Sequence, residues 1–196
     1  MEDPTRPLLE ALKTVAVALK DADLPFALAG GYAVYARGGQ DSRHDVDFVV
    51  RPGDAPAAQD ALRDAGLDVL QPPEDWLFKA RHHGAPVDLI HRLACGPVDD
   101  DLLARADLMP VESVEMPVLS ATDLLVAKLA ALSDHACDLE PPLSLLRSLR
   151  EQIDVPRVEA AVSGNPFADA ALYLARRLGV LSDHPEPRPV HLEESA

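Results

Sequence analysis

The stretch FALAGGYAVYARGGQDSRHDVDF, residues 26–48, decides the fold. Phe26 to Ala29 is a short apolar run that reads as a strand. It breaks into Gly30-Gly31 ahead of a helical segment from Tyr32 to Ala36, which Gly38-Gly39 ends. The glycine pair therefore sits at a helix N-terminus, where free backbone N–H groups and the helix dipole favour an anion and two residues without Cβ let a phosphate come close. Asp45-Val46-Asp47 runs into Phe48-Val49-Val50 and reads as the start of a second strand, whose period of two sets both carboxylates on one face. Strand rise puts their Cα atoms about 6.5 to 7 Å apart, so the carboxylates can lean in on metal ions separated by roughly 3.5 to 4 Å. A third carboxylate, Asp88, lies in PVDLI between Val87 and Leu89, and points away from the face those two bury. A charge centred in an apolar strand is costly unless it is paired or binds a cation, so the expected role of Asp88 is metal ligand.

Each piece alone has a plainer reading, since Gly-Gly after a strand makes a tight turn and an isolated Asp-x-Asp is a solvated strand end. The order and spacing carry more: small-Gly-Gly, thirteen intervening residues, Asp-apolar-Asp on a strand, then a later apolar-Asp-apolar strand. In the loop between them stand Arg43 and His44. Arg43 either holds a nucleotide phosphate or balances Asp41 and Asp45.

Working outward, Asp3-Pro4 reads as the start of a helix whose apolar face is Leu8, Leu9, Leu12, Val15, Ala16 and Leu19. After the second strand a helix is expected over Ala55 to Ala65 with Gly66 at its C-terminus. Strands follow around Trp76 to Arg81 and Pro86 to Ile90, joined by a turn at His82-His83-Gly84. The two adjacent histidines point apart and have no third partner at ligand spacing, so they do not read as a zinc site. Trp76 reads as a core residue, or as a base-stacking platform beside Lys79 and Arg81.

Leu102, Leu103 and Ala106 mark a short helix and Met116 to Leu119 an extended piece. Ser120 to Asp123 is an N-cap sequence opening an apolar helix, Leu124 to Leu132. Lys128 stands inside that helix, and either snorkels to solvent or reaches into a cleft. Further helices are expected over 141–153, 155–162 and 166–178. The chain thus divides into an α/β (α+β) core with a mixed sheet (1–118), a helical bundle (119–181) and a proline-rich polar tail (182–196).

With 196 residues and a hydrophobic share of 47%, the chain supports one substantial core plus a helical appendage. Aromatics are 4%, so Ala, Leu and Val build that core. A net charge of −15 disfavours broad nucleic-acid binding and leaves room for a local basic patch. The candidates for such a patch are Lys79, Arg81, Arg147, Arg150, Arg176 and Arg177, with Arg147 and Arg150 sharing a helix face or pairing with Glu151 and Asp154. No stretch approaches the roughly 18 apolar residues of a membrane span and MEDPTRPLLE is not signal-like, so a cytoplasmic protein is expected, with Cys95 and Cys137 as reduced structural thiols.

The Gly-Gly, Asp-x-Asp and Asp88 pattern resembles the DNA polymerase beta-like nucleotidyltransferase superfamily over roughly the first half of the chain. The run PVLSATDLLVAKLAALSDHACDLEPPLSLLRSLREQIDV, residues 117–155, further resembles the AbiEii and MenT-type nucleotidyltransferase toxins. That resemblance implies active-site roles for Lys128 and Asp138. It also implies transfer of a nucleotide, a pyrimidine from CTP or UTP, to the 3′ end of tRNA, and a cognate antitoxin as partner. In such an enzyme Asp45, Asp47 and Asp88 hold two Mg²⁺ ions, Gly30 and Gly31 hold the triphosphate, and Lys128 neutralises charge on the departing pyrophosphate. Readings as an antibiotic nucleotidyltransferase, a protein AMPylase or an inactive partner-binding module stay open beside it.

Overall fold

A computed structural model describes residues 6–40 and 44–181. The helix start expected at Asp3-Pro4, Arg43 and the tail 182–196 lie outside the described residues. The first helix, α1 (Arg6–Asp21), buries Leu8, Leu12, Val15 and Leu19 on one face, as their spacing of three and four requires. Strand β1 (Phe26–Ala29) is buried at all four positions. It passes directly into α2 (Gly30–Ala36), and β2 (Val46–Val50) follows. Next come α3 (Ala55–Asp64), β3 (Asp68–Leu70), β4 (Leu77–His82), β5 (Ala85–Ile90) and a minimal hairpin, β6 (Arg92–Leu93) with β7 (Gly96–Pro97). A crossover through α4 (Asp100–Ala104) leads to β8 (Asp107–Val111) and β9 (Val114–Val118). The remainder is helical: α5 (Ala121–Ala130), α6 (Glu140–Leu149), α7 (Val155–Ala161) and α8 (Pro166–Arg177).

Seven strands form one mixed sheet in the order β3-β4-β5-β2-β1-β9-β8. The pairs β2/β5 and β1/β9 are parallel, and the other neighbouring pairs of this sheet are antiparallel. The β4–β5 turn places His83 and Gly84 both at positive φ, +49° and +87°, the primed geometry that matches strand twist. Helix α1 lies across β2, β4, β5 and β9 and packs on α3, while α2 covers β1 and β2 and touches α5. One continuous hydrophobic cluster joins α1, the sheet and α5, α6 and α8. The mixed α/β class expected from the sequence is the one observed.

Several details differ from the sequence reading. Strands β3 and β8 were not expected: β3 has three residues, and β8 carries Pro110, which argues against a strand until β8 is seen to be a sheet edge. Cys95 and Cys137 are free but exposed, so they are not packing thiols. Trp76 is 39% exposed on the segment entering β4 and is not a core residue. Helix α6 ends at Leu149, so Arg150 opens a 3₁₀ turn and pairs with Glu151 at 2.9 Å in place of sharing a helix face with Arg147. Among the described residues no helix is long and apolar enough to cross a membrane.

Candidate active site

The site is a row across the sheet. Strand register sets Ala29 opposite Asp47, Asp47 beside Asp88, and Asp88 opposite Lys79. Cross-strand partners share a face, so two carboxylates and an ammonium line one side of β2, β5 and β4. Asp45, one residue before β2, joins them: a ligand oxygen from each of Asp45, Asp47 and Asp88 lies within 4.8 Å of the others. The alternation of β2 buries Val46 and Phe48 on the opposite face.

Crowding changes the chemistry of Asp47. Burial, then the charges of Asp45 and Asp88, push its carboxyl up to about 7, against a downward pull from Lys128 and Lys79. Three hard oxygen donors whose mutual repulsion favours added positive charge fit a divalent cation such as Mg²⁺ or Mn²⁺.

Gly30 is bound up with the same carboxylate. A Cβ on it would lie 1.8 Å from Oδ2 of Asp47, and its φ of +58° is one that side chains resist. Glycine is therefore required here for the approach of Asp47. Gly31 is the second residue of α2 and half-buried.

Lys128 is half-buried on α5, and its charge acts on Asp47. It makes no ion pair within 4 Å among the described residues, so its ammonium is available to a ligand. Asp138 stands apart from the cluster: it is exposed, and its Oδ1 accepts a hydrogen bond from the Glu140 backbone N–H at 3.0 Å where α6 begins.

Three arrangements escaped the sequence reading. The Lys79 Nζ lies 3.1 Å from Oδ2 and 3.4 Å from Oδ1 of Asp88. Counting back from the His83-Gly84 turn gives this pairing, so the signal was present. Arg37, at the end of α2, donates from Nε to the Leu119 carbonyl at 2.6 Å and from Nη2 to the Val118 carbonyl and Asp107, which ties α2 to β9 and β8. Asp123, 5% exposed on the first turn of α5, accepts from Ser120 Oγ at 2.5 Å and pairs with Arg105 and Arg157 beside a cavity of about 300 Å³. Burial pushes its carboxyl up, but hydrogen bonds from Arg105 and Ser120 and the charges of Arg157 and Arg105 outweigh that and leave it below the ordinary range.

The fold has known counterparts. The solution structure of the antibiotic-resistance factor ANT(2″)-Ia matches with a TM-score of 0.59 and 17% identity, over 87% of this chain and 97% of that one. Its crystal structure in complex with adenylyl-2″-tobramycin gives 0.58 and 14%, over 85% and 97%. The lincosamide antibiotic adenylyltransferase LnuA with lincomycin bound gives 0.52 and 14%, over 72% and 95%. A search of curated proteins finds no match.

Such a sheet is the nucleotidyltransferase fold, and this chain is a nucleotidyltransferase. It belongs to the family described as uncharacterised nucleotidyltransferase, whose model matches residues 5–182.

Proposed function

We propose that this enzyme moves a nucleotidyl group from an NTP to a hydroxyl of a small cationic acceptor, with release of pyrophosphate and with two Mg²⁺ ions held by Asp45, Asp47 and Asp88. The observation that carries the reaction class is the convergence of these three carboxylates within 4.8 Å on a nucleotidyltransferase sheet. Bound there, Mg²⁺ would neutralise triphosphate charge and acidify the acceptor hydroxyl. The protein's own groups do the rest. Free N–H groups where Gly30 and Gly31 open α2 face incoming phosphate oxygens, and the Lys128 ammonium offsets charge gathering on the pyrophosphate.

The acceptor follows from charge. At −15 the molecule attracts cations, and of the six basic candidates for an RNA patch Arg150 is paired with Glu151 and Arg176 with Glu159. The proteins of similar fold described above include enzymes of antibiotic modification, which supports a small acceptor. A second reading is a toxin that transfers a pyrimidine nucleotide from CTP or UTP to the 3′ end of tRNA and is held in check by a cognate antitoxin. Lys128 supports it, because the toxin resemblance gives this α5 lysine an active-site role and its charge acts on Asp47.

One experiment separates them. Each α-labelled NTP is incubated with Mg²⁺ and either total tRNA or a panel of aminoglycosides and lincosamides, and products are resolved by gel and by thin-layer chromatography. Label on a small amine supports the first reading and label on RNA the second. No pyrophosphate release with any NTP and either acceptor set rejects both.

A further inference from the structure

We propose that Lys79 is the resident counter-cation of the acidic cluster, which leaves Asp88 when a divalent cation binds and then holds a phosphate oxygen of the nucleotide. This rests on the metal-dependent reading above and assigns a positioning and substrate-binding role to a residue which that reading does not use.

The geometry has the form of a stand-in ion. The Lys79 ammonium straddles both oxygens of Asp88, at 3.1 and 3.4 Å, from the strand position directly opposite. Asp88 is the inner partner, with its side chain 14% exposed, while the Lys79 side chain is 48% exposed. A lysine so placed has room to swing its flexible stem outward, unlike one packed on both sides. A half-exposed cross-strand pair contributes little to stability, so holding the sheet together does not account for the contact. The reach of its charge does: Lys79 acts on Asp47 as well as on Asp88.

Occupancy by both cations is unfavourable. Mg²⁺ takes carboxylate oxygens at about 2.0 to 2.1 Å, so an ammonium left on the same carboxylate would stand only a few ångströms from a double positive charge. Coulomb repulsion between the two cations then favours release of Asp88 by Lys79. A phosphate oxygen of the nucleotide is then the anion that replaces the one Lys79 lost. Two lysines whose charges both act on Asp47, Lys79 from β4 and Lys128 from α5, would then serve the nucleotide.

The exchange predicts effects of opposite sign from one substitution. Mn²⁺ binding is measured by isothermal titration and by electron paramagnetic resonance on full-length protein, wild type against Lys79→Met and Lys79→Arg. Nucleotide binding is measured with a non-hydrolysable NTP analogue at saturating Mn²⁺. Lys79→Met should bind Mn²⁺ about two- to fivefold more tightly, the range for removing a half-exposed ion pair, and the analogue about three- to tenfold more weakly. Lys79→Arg should stay near wild type in Mn²⁺ affinity, and a melting curve for each variant checks that the fold is kept. Unchanged or weaker Mn²⁺ binding by Lys79→Met overturns the exchange. Tighter Mn²⁺ with unchanged analogue binding overturns the phosphate role. Wild-type protein that binds no Mn²⁺ would instead remove the metal site itself.

Discussion

Gly30 and Asp47 act as one unit, since the carboxylate occupies the space a side chain on residue 30 would need. Gly30→Ala should therefore destabilise the protein by about 1–3 kcal/mol, from the positive φ plus the displaced carboxylate, and should abolish transfer. A variant with wild-type turnover would refute the linkage. Asp47 also gives a pH signature. Its carboxyl keeps its proton up to about 7 in the folded chain but ionises near 3.8 when unfolded. Between those values the unfolded state binds fewer protons, so the stability of cation-free protein falls as pH rises from about 4 to about 7, by on the order of 2–4 kcal/mol. Asp47→Asn removes that titration. In EDTA its melting temperature should exceed that of wild type at pH 8 and match it near pH 4, with transfer lost throughout. Parallel melting curves at both pH values would count against the raised carboxyl.

At the scale of elements, α5 carries two charges on different turns, Asp123 and Lys128, of which Asp123 ties the helix to its neighbours. Asp123 fastens its first turn to Arg105 at the end of the crossover and to Arg157 on α7. Ser120 as N-cap was readable from the sequence, and its side chain does accept the Asp123 N–H at 3.0 Å. The arginines were not readable, because they arrive from positions 18 residues before and 34 after, and only packing brings them together. Asp123→Ala should cost about 2 kcal/mol, less than for a fully buried pair because both arginines can hydrate. Since the Asp123 carboxyl is lowered in the fold, its contribution is complete above the ordinary carboxylate pKa and is lost as pH falls through the folded value. Asp123→Ala and wild type should accordingly converge in melting temperature as pH falls below the ordinary carboxylate range. Lys128, five residues along, makes no ion pair among the described residues. Lys128→Ala should leave the melting temperature within about 1 °C and lower kcat by about 10² to 10³. A large fall in melting temperature with activity retained would make it a packing residue.

For the molecule as a whole, the local signals were strong where covalent spacing sets geometry and weak where tertiary pairing does. Phe26–Ala29, the Gly30-Gly31 break and Asp45-Val46-Asp47 fix their own conformation, and the structure has strand, helix and strand there. That Asp47 lies beside Asp88 depends on the parallel pairing of β2 with β5 across α3, β3 and β4, which no local pattern specifies. The net charge of −15 is legible at once, and its consequence belongs to this scale. A field summed over the surface draws cations toward the molecule and repels polyanions, and salt shortens its reach from about 10 Å at 0.1 M to about 3 Å at 1 M. For a polycationic acceptor, KM should rise about tenfold between 0.05 and 0.5 M NaCl while kcat stays constant, because the field aids encounter and not chemistry. KM for the NTP should stay level or fall over the same range, since the general field opposes that substrate. A KM for the cationic acceptor that is flat in salt would show that the acidic surface does not recruit it, and would return the acceptor to the RNA reading, whose few local phosphate contacts carry their own salt dependence.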